Sequence, residues 1–197
     1  MKKSLLLAGI AVSLLPINAN AIELKPYVGL DYVYSNASTN DFVVQDVLVG
    51  KDLYENKFNS VNINVGASVN NYFDIEAFYQ NSAKEKGDEL YLFDSSNFYT
   101  DKIETSFYAY GIDTIGHLPV KEKFSAIASL GLGMYEFEMS GFGMTVKKDG
   151  IGVRLGAGIQ YDINKHFAFR GMARHVFLNM NSVDNMTEFS FGLKYNF

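Results

Sequence analysis

The 197-residue sequence contains no cysteine and no tryptophan, and only 3 prolines. Without cysteine there can be neither a disulfide framework nor a thiolate metal site. Basic residues are the minority, 17 Lys plus Arg against 22 Asp plus Glu, and the net charge of −5 argues against a nucleic-acid-binding surface. Past the first 17 residues, no apolar run approaches the roughly 18 that a membrane-spanning helix requires. The i, i+3, i+4 spacing of an amphipathic helix is also almost missing beyond Leu24. What remains plentiful is aromatic side chains, 13 Tyr and 16 Phe, in short alternating segments.

At the start, Lys2 and Lys3 lead into the largely apolar stretch Leu5 to Leu15. Pro16 and the small residues of Asn18-Ala19-Asn20-Ala21 follow, which fit an A-x-A-like cleavage site. A cleavable secretory signal is predicted over residues 1–21, with one domain over 22–197. A membrane anchor is disfavoured, because that stretch at about 1.5 Å per residue covers only about half of a ~30 Å hydrocarbon core.

From Leu24 onward apolar and polar residues alternate with the period of a strand. Leu30, Tyr32 and Tyr34 share one face of the first segment; Val61, Ile63 and Val65 share that of the second; Phe73, Ile75 and Tyr79 that of the third. Five further segments follow, led by Tyr110 and Ile112, by Leu130 and Leu132, by Val153 and Leu155, by Phe167 and Phe169, and by Phe189 and Phe191. The count is eight strands. Short connections are predicted at Asn70-Asn71, His117 to Lys123 and Asp162 to His166. Longer polar ones are predicted from Ser35 to Lys57, Asn81 to Lys102, Glu136 to Asp149 and Leu178 to Met186. Short turns on one side and long loops on the other indicate an all-β, eight-stranded, antiparallel, up-and-down transmembrane β-barrel.

Charge fixes which face meets lipid. The apolar face carries no Asp, Glu, Lys or Arg within the spanning windows, whereas the other holds Asp31, Asp74, Glu76, Asp113, Arg154, Arg170, Arg174, Glu188 and Lys194. Turning the basic members toward the bilayer midplane would cost about 2–4 kcal/mol each. These nine residues are therefore predicted to form a paired charge network in the lumen. A soluble lipocalin-like barrel would need the opposite arrangement, with the apolar face enclosed. Aromatic girdles are expected at Phe73, Phe124, Tyr161, Phe167, Tyr195 and Phe197 on the short-turn side, and at Tyr32, Tyr34, Tyr79, Phe177 and Phe189 on the other.

The run Phe189, Phe191, Leu193, Tyr195 and Phe197 resembles the signal by which bacterial outer-membrane barrels are recognised by the barrel-assembly machinery. The stretch Gly152 to Arg174, with Gly156, Gly158, Tyr161, Phe167, Arg170 and Arg174, resembles the penultimate hairpin of small OmpA/OmpX-type barrels of the opacity/porin-like superfamily. The resemblance implies a Gram-negative outer membrane, contact with its lipid and lipopolysaccharide, and both termini in the periplasm. OmpA itself continues into a peptidoglycan-binding domain; with the sequence ending at Phe197, no tether to the cell wall of that kind is expected. Met172 stands where relatives often carry an acidic residue, so Glu76 or Asp74 is expected to partner Arg170 or Arg174 from another strand.

An eight-stranded barrel is just wide enough for side chains to fill it. Ser129, Gly131, Gly133, Gly152, Gly156 and Gly158 make one wall thin, and Tyr27 and Lys25 from the opposing strands are the expected fillers. No cofactor or metal is expected, nor enzymatic activity: where lipid A deacylases resemble one another in a His-x-Ser, this chain has His175-Val176-Phe177, and His117 and His166 lie in predicted turns. His175 is placed on the outward face near the outer rim. The first loop carries Asp41, Asp46, Lys51, Asp52 and Glu55 with apolar 42–44 and 47–49, which could extend the first two strands as a hairpin; the second carries Lys84 to Lys86, Asp88, Glu89, Asp94 and Asp101. The expected function is a monomeric structural or surface-interaction protein, adhesin-like, that meets a host or matrix ligand through these loops. The alternative is a narrow porin-like channel for ions or small solutes.

Overall fold

A computed structural model describes residues 24–39, 42–44, 47–49, 56–94, 97–141, 143–180 and 183–197, with backbone alone at 39, 42–44, 47–49, 88–94 and 97–101. The predicted signal segment and the loop-one residues Asp41, Asp46, Lys51, Asp52 and Glu55 lie outside the described residues.

The strands are β1 (Lys25–Thr39), β2 (Phe42–Val44), β3 (Val47–Val49), β4 (Lys57–Asn70), β5 (Phe73–Ser82), β6 (Glu85–Asp94), β7 (Asn97–Lys121), β8 (Phe124–Gly141), β9 (Met144–Asp162), β10 (Phe167–Leu178) and β11 (Val183–Asn196). Eight of them follow one another in the order β5, β4, β1, β11, β10, β9, β8, β7, and a further pairing of β5 with β7 closes the ring. Every pair is antiparallel. No helix among the described residues is long and apolar enough to cross a membrane.

The period of two decides the two faces. In β5, Phe73, Ile75, Ala77 and Tyr79 are exposed, while Asp74, Glu76, Phe78, Gln80 and Ser82 are buried. The same inversion runs around the ring: Leu30, Ile63, Ile112, Leu130, Leu155, Phe169 and Phe191 are exposed, whereas Asp31, Asn62, Asp113, Ser129, Arg154, Arg170 and Ser190 are enclosed. Such an outer surface is stable only in hydrocarbon. Of the predicted girdle residues, Phe73, Phe124, Tyr161, Phe167 and Phe197 on the short-turn side and Tyr32, Tyr79, Phe177 and Phe189 on the other are exposed, while Tyr34 and Tyr195 are half-buried.

Several boundaries differ from the expectation. Segments 81–102 and 136–149, read as loops, are largely strand: β6 pairs with the upper part of β7, and β8 and β9 stay in register out to Gly141 and Met144. Their outward side chains are charged because they stand above the lipid, which made strand look like loop. His117 lies within β7, and the turn after it is at Glu122-Lys123. Pro119 is accommodated where the β7–β8 register shifts. The loop-one hairpin, β2 with β3, forms a separate two-stranded sheet rather than an extension of its neighbours.

Candidate functional site

All nine residues of the predicted network are buried. In the half nearest the short turns they form tight pairs. Arg170 donates from Nη1 to Glu76 Oε2 at 2.7 Å and from Nη2 to Asp31 Oδ2 at 3.0 Å. Asp31 Oδ2 also accepts the Asn62 and Asn64 amides at 3.0 and 2.8 Å, and Glu76 accepts the Tyr27 hydroxyl at 3.1 Å. Lys194 Nζ donates to Asp74 Oδ2 at 2.7 Å and lies 3.6 Å from the centre of the Tyr27 ring, a cation–π contact. His117 Nε2 sits 3.0 Å from the same Asp74 oxygen. Asp74 thus serves Lys194 and His117, and only Glu76 of the two expected carboxylates reaches an arginine.

Further from the short turns the pairing loosens. Arg154 Nε is 3.6 Å from Asp113, its Nη2 is 3.4 Å from Glu188, and Arg174 Nε is 3.9 Å from Asp113. Arg174 spends its firmer bonds on Ser190 Oγ at 3.0 Å and Met172 Sδ at 3.1 Å. Gln80 ties Glu188 to Ser60, each at 3.0 Å, and Arg154 stacks 3.7 Å over the Phe78 ring.

Above this lies a layer that the alternation of polar and apolar faces did not announce. Ala37, Phe58, Phe107, Phe137, Leu178, Val183 and Met186 form an enclosed apolar cluster with Phe78, Tyr135 and Val176 beneath them. Phe107 stacks on Phe137 at 5.2 Å and meets Phe58 edge-on at 5.3 Å. The inner face is therefore charged below and aromatic above. Lys25, expected to fill the lumen, is exposed, whereas Tyr27 is buried. The glycine wall is covered from neighbouring strands: a Cβ on Gly133 would meet Phe78, and one on Gly158 would meet Met172.

On the outer face, just above Tyr110 and Met134, the apolar belt gives way to ion pairs. Lys147 Nζ lies 2.9 Å from Glu136 and 2.8 Å from Glu138, Glu136 accepts the Tyr108 hydroxyl at 2.6 Å, and Glu104 faces Lys84 and Lys86, each at 3.6 Å. The hydrogen bond to Glu136 pushes the Tyr108 phenol up to about 12. The same bond, followed by Lys147, holds the Glu136 carboxyl below its ordinary range, and hydrogen bonds to Glu138 and Glu136 raise the Lys147 amine. This rim marks where hydrocarbon ends.

His175 points outward, its Nδ1 3.2 Å from Thr187 Oγ1 and its ring edge-on to Phe177 at 4.7 Å. Of the C-terminal residues, Phe189, Phe191, Leu193 and Phe197 are exposed along β11 and its end. Tyr195 is half-buried between Phe167 and Phe197, each at 5.1 Å. Sequence reasoning missed His117 as a lumen residue, although its place an even number of residues from Asp113 carried that information. No group of three or more His, Cys, Asp or Glu among the described residues is arranged to hold a metal.

Among solved structures the chain is similar to Neisserial surface protein A, with 17% identity, a TM-score of 0.63, and coverage of 87% of this chain and 97% of the other. It is also similar to Ail, the attachment invasion locus protein of Yersinia pestis, at 14% identity and a TM-score of 0.52, covering 88% and 97%. A third is OprG from Pseudomonas aeruginosa, at 9% identity and a TM-score of 0.58, covering 88% and 96%. At these identities the likeness speaks for the fold. A search of curated proteins returned no match. The family model for the outer membrane protein beta-barrel domain matches residues 4–197, and the chain therefore belongs to that family, as a β-barrel protein of the bacterial outer membrane.

Proposed function

We propose that this barrel is closed at rest and serves at the cell surface, as a structural and adhesin-like protein whose extracellular hairpins meet a host or matrix ligand. The observation that carries this reading is the filled interior. Arg154, Arg174, Tyr27, Tyr135, Phe58 and Phe107 are among the largest fully buried side chains, and they occupy the cross-section a solute would need. The strands that rise above the lipid on the β6 to β9 side support it as well, because they present paired backbone to the medium. A similar structure is that of a protein named for attachment and invasion. On this reading the chain is exported by cleavage after Ala21, assembles through the Phe189 to Phe197 signal by way of the barrel-assembly machinery, stays monomeric and contacts lipopolysaccharide around the outer rim. It is not an enzyme: His175 has Phe177, not serine, two places on, and its ring is committed to Thr187.

Deletion of residues 40–55 tests the role. It should leave the heat-modifiable gel mobility of the folded barrel intact while lowering adhesion to host cells or matrix; unchanged adhesion would remove the first loop from the account. Planar-bilayer recordings of the refolded protein test closure, and reproducible single channels would favour the narrow-channel alternative.

A further inference from the structure

The lumen has two polar textures and one apolar one, and they do not block a path equally well. The upper part of the charge network is held loosely. Asp113 is fully buried, yet neither of its carboxylate oxygens accepts a hydrogen bond: Arg154 Nε and Arg174 Nε stand off at 3.6 and 3.9 Å and, like Arg154 Nη1, Ser129 Oγ and Tyr135 OH, make no hydrogen bond. Buried charges left this way cost several kcal/mol. Unpartnered donors and acceptors meet in the same place, so their common partner must both donate and accept, which is the chemistry of water. The apolar trio Ile115, Ile127 and Met172 nearer the short turns covers only the β7, β8 and β10 side. Opposite it, Asp74, Lys194, Tyr27 and Glu76 continue the polar column toward His117.

The layer above the network is different. At that height each barrel strand presents an apolar, small or fully bonded residue: Ala37 on β1, Phe58 on β4, Phe107 on β7, Phe137 on β8, Leu178 on β10 and Met186 on β11. The β5 position is Ser82, whose oxygen accepts the Phe107 backbone N–H at 2.8 Å. The β9 position is Gly152, where a Cβ would already meet Tyr135, Val176 and Leu178 within 3.0 Å. Apolar groups thus line most of the ring, although Lys148, paired with Phe137 across β8 and β9, is exposed and Thr105 Oγ1, one pleat above Phe107, is buried without a partner.

We propose that this aromatic layer is a hydrophobic gate that keeps ions out of a hydrated, charge-lined lumen, and that the ion network beneath it is not the seal. A constriction lined by apolar groups excludes ions by refusing to wet, whereas a hydrated column with five carboxylates against four Lys and Arg side chains would pass cations. The proposal rests on the barrel being closed at rest. Conductance of the unaltered protein would sink that reading, while the variants below address the gate alone.

The test is planar-bilayer recording of the refolded chain carrying Phe58→Ser, Phe107→Ser and Phe137→Ser together, compared with the network variant Arg170→Gln plus Asp113→Asn. Both are first checked for the heat-modifiable mobility of a folded barrel. The expected result is discrete current steps from the serine variant only, with the reversal potential in a salt gradient shifted toward the cation value. Folded serine variants that stay silent, or current from the network variant with the aromatic layer intact, would overturn the proposal. Should the triple variant not fold, the three single serine variants are recorded, and silence in all three overturns it equally.

Discussion

Arg170 and Arg174 sit two pleats apart on the same inward face of β10, both almost wholly buried, and the structure assigns them very different energetic weight. Arg170→Met would strip the guanidinium from two carboxylates at once, at 2.7 and 3.0 Å. Removing one partner of a buried pair costs about 3–5 kcal/mol. Asp31 retains the Asn62 and Asn64 amides and Glu76 retains the Tyr27 hydroxyl, which holds the cost near the lower end, about 3 kcal/mol. Among the described residues Arg174 has no carboxylate closer than Asp113 at 3.9 Å, and Asp113 keeps Arg154 at 3.6 Å when Arg174 is gone. Arg174→Met therefore loses mainly the bond to Ser190, worth about 1.5–3 kcal/mol, and relieves an expensive burial that offsets it. The chain has no tryptophan, so the folded fraction is read from gel mobility across a urea series after refolding into lipid vesicles. Adding Glu76→Gln to Arg170→Met should recover part of the loss, because one uncompensated charge disappears. If Arg174→Met proved as costly as Arg170→Met, pairing distance would not rank these charges and the reasoning would fail.

Three further outcomes are expected. Leu130 is exposed midway between the aromatic belts, at Phe124 on one side and Tyr110 on the other, so Leu130→Arg should destabilise the vesicle-inserted barrel by about 2–4 kcal/mol; a change within about 0.5 kcal/mol, typical of a water-facing site, would contradict a lipid-facing surface. A Cβ on Gly131 would press on Asp113 Oδ1 and lie 2.7 Å from the Ile112 carbonyl oxygen, so Gly131→Ala should cost about 1–3 kcal/mol in the same urea series, and a neutral result would mean this wall is not closely packed. Tyr108 should titrate near pH 12 in carbon-13 tyrosine NMR and return toward 10.0 in Glu136→Gln. The fold favours the neutral phenol, so its contribution to stability is complete below about pH 10 and is lost as the pH rises through about 12. An unchanged midpoint in the variant would remove Glu136 as the cause.

The eight-strand ring was legible because lipid outside and charge inside impose a strict period of two, and one glance at Asp74 and Glu76 between Phe73, Ile75 and Ala77 fixes a whole strand. The extent of the strands was not, since above the lipid Glu136, Glu138 and Lys147 occupy outward positions that read as loop once hydrocarbon no longer selects them. The same misreading hid the aromatic layer: Phe137 falls in a segment assigned to a loop, and its meeting with Phe58 and Phe107 depends on the register of three strands at once. Charge signs alone said that Arg170 needed a carboxylate. Only the closed ring brings Glu76, distant in sequence, to its side while sending Asp74 to Lys194 and His117.

The seam between β1 and β11 joins the first and last strands of the ring along almost their whole length, from Tyr27 opposite Asn196 to Thr39 opposite Val183. Until that zipper shuts, any partly built intermediate carries two raw hydrogen-bonding borders that neither lipid nor a neighbouring strand can satisfy. Completion is then an all-or-nothing event set by the arrival of the final segment. A lesion anywhere in β11 should show itself as failed biogenesis long before it registers as lost endurance in the finished molecule.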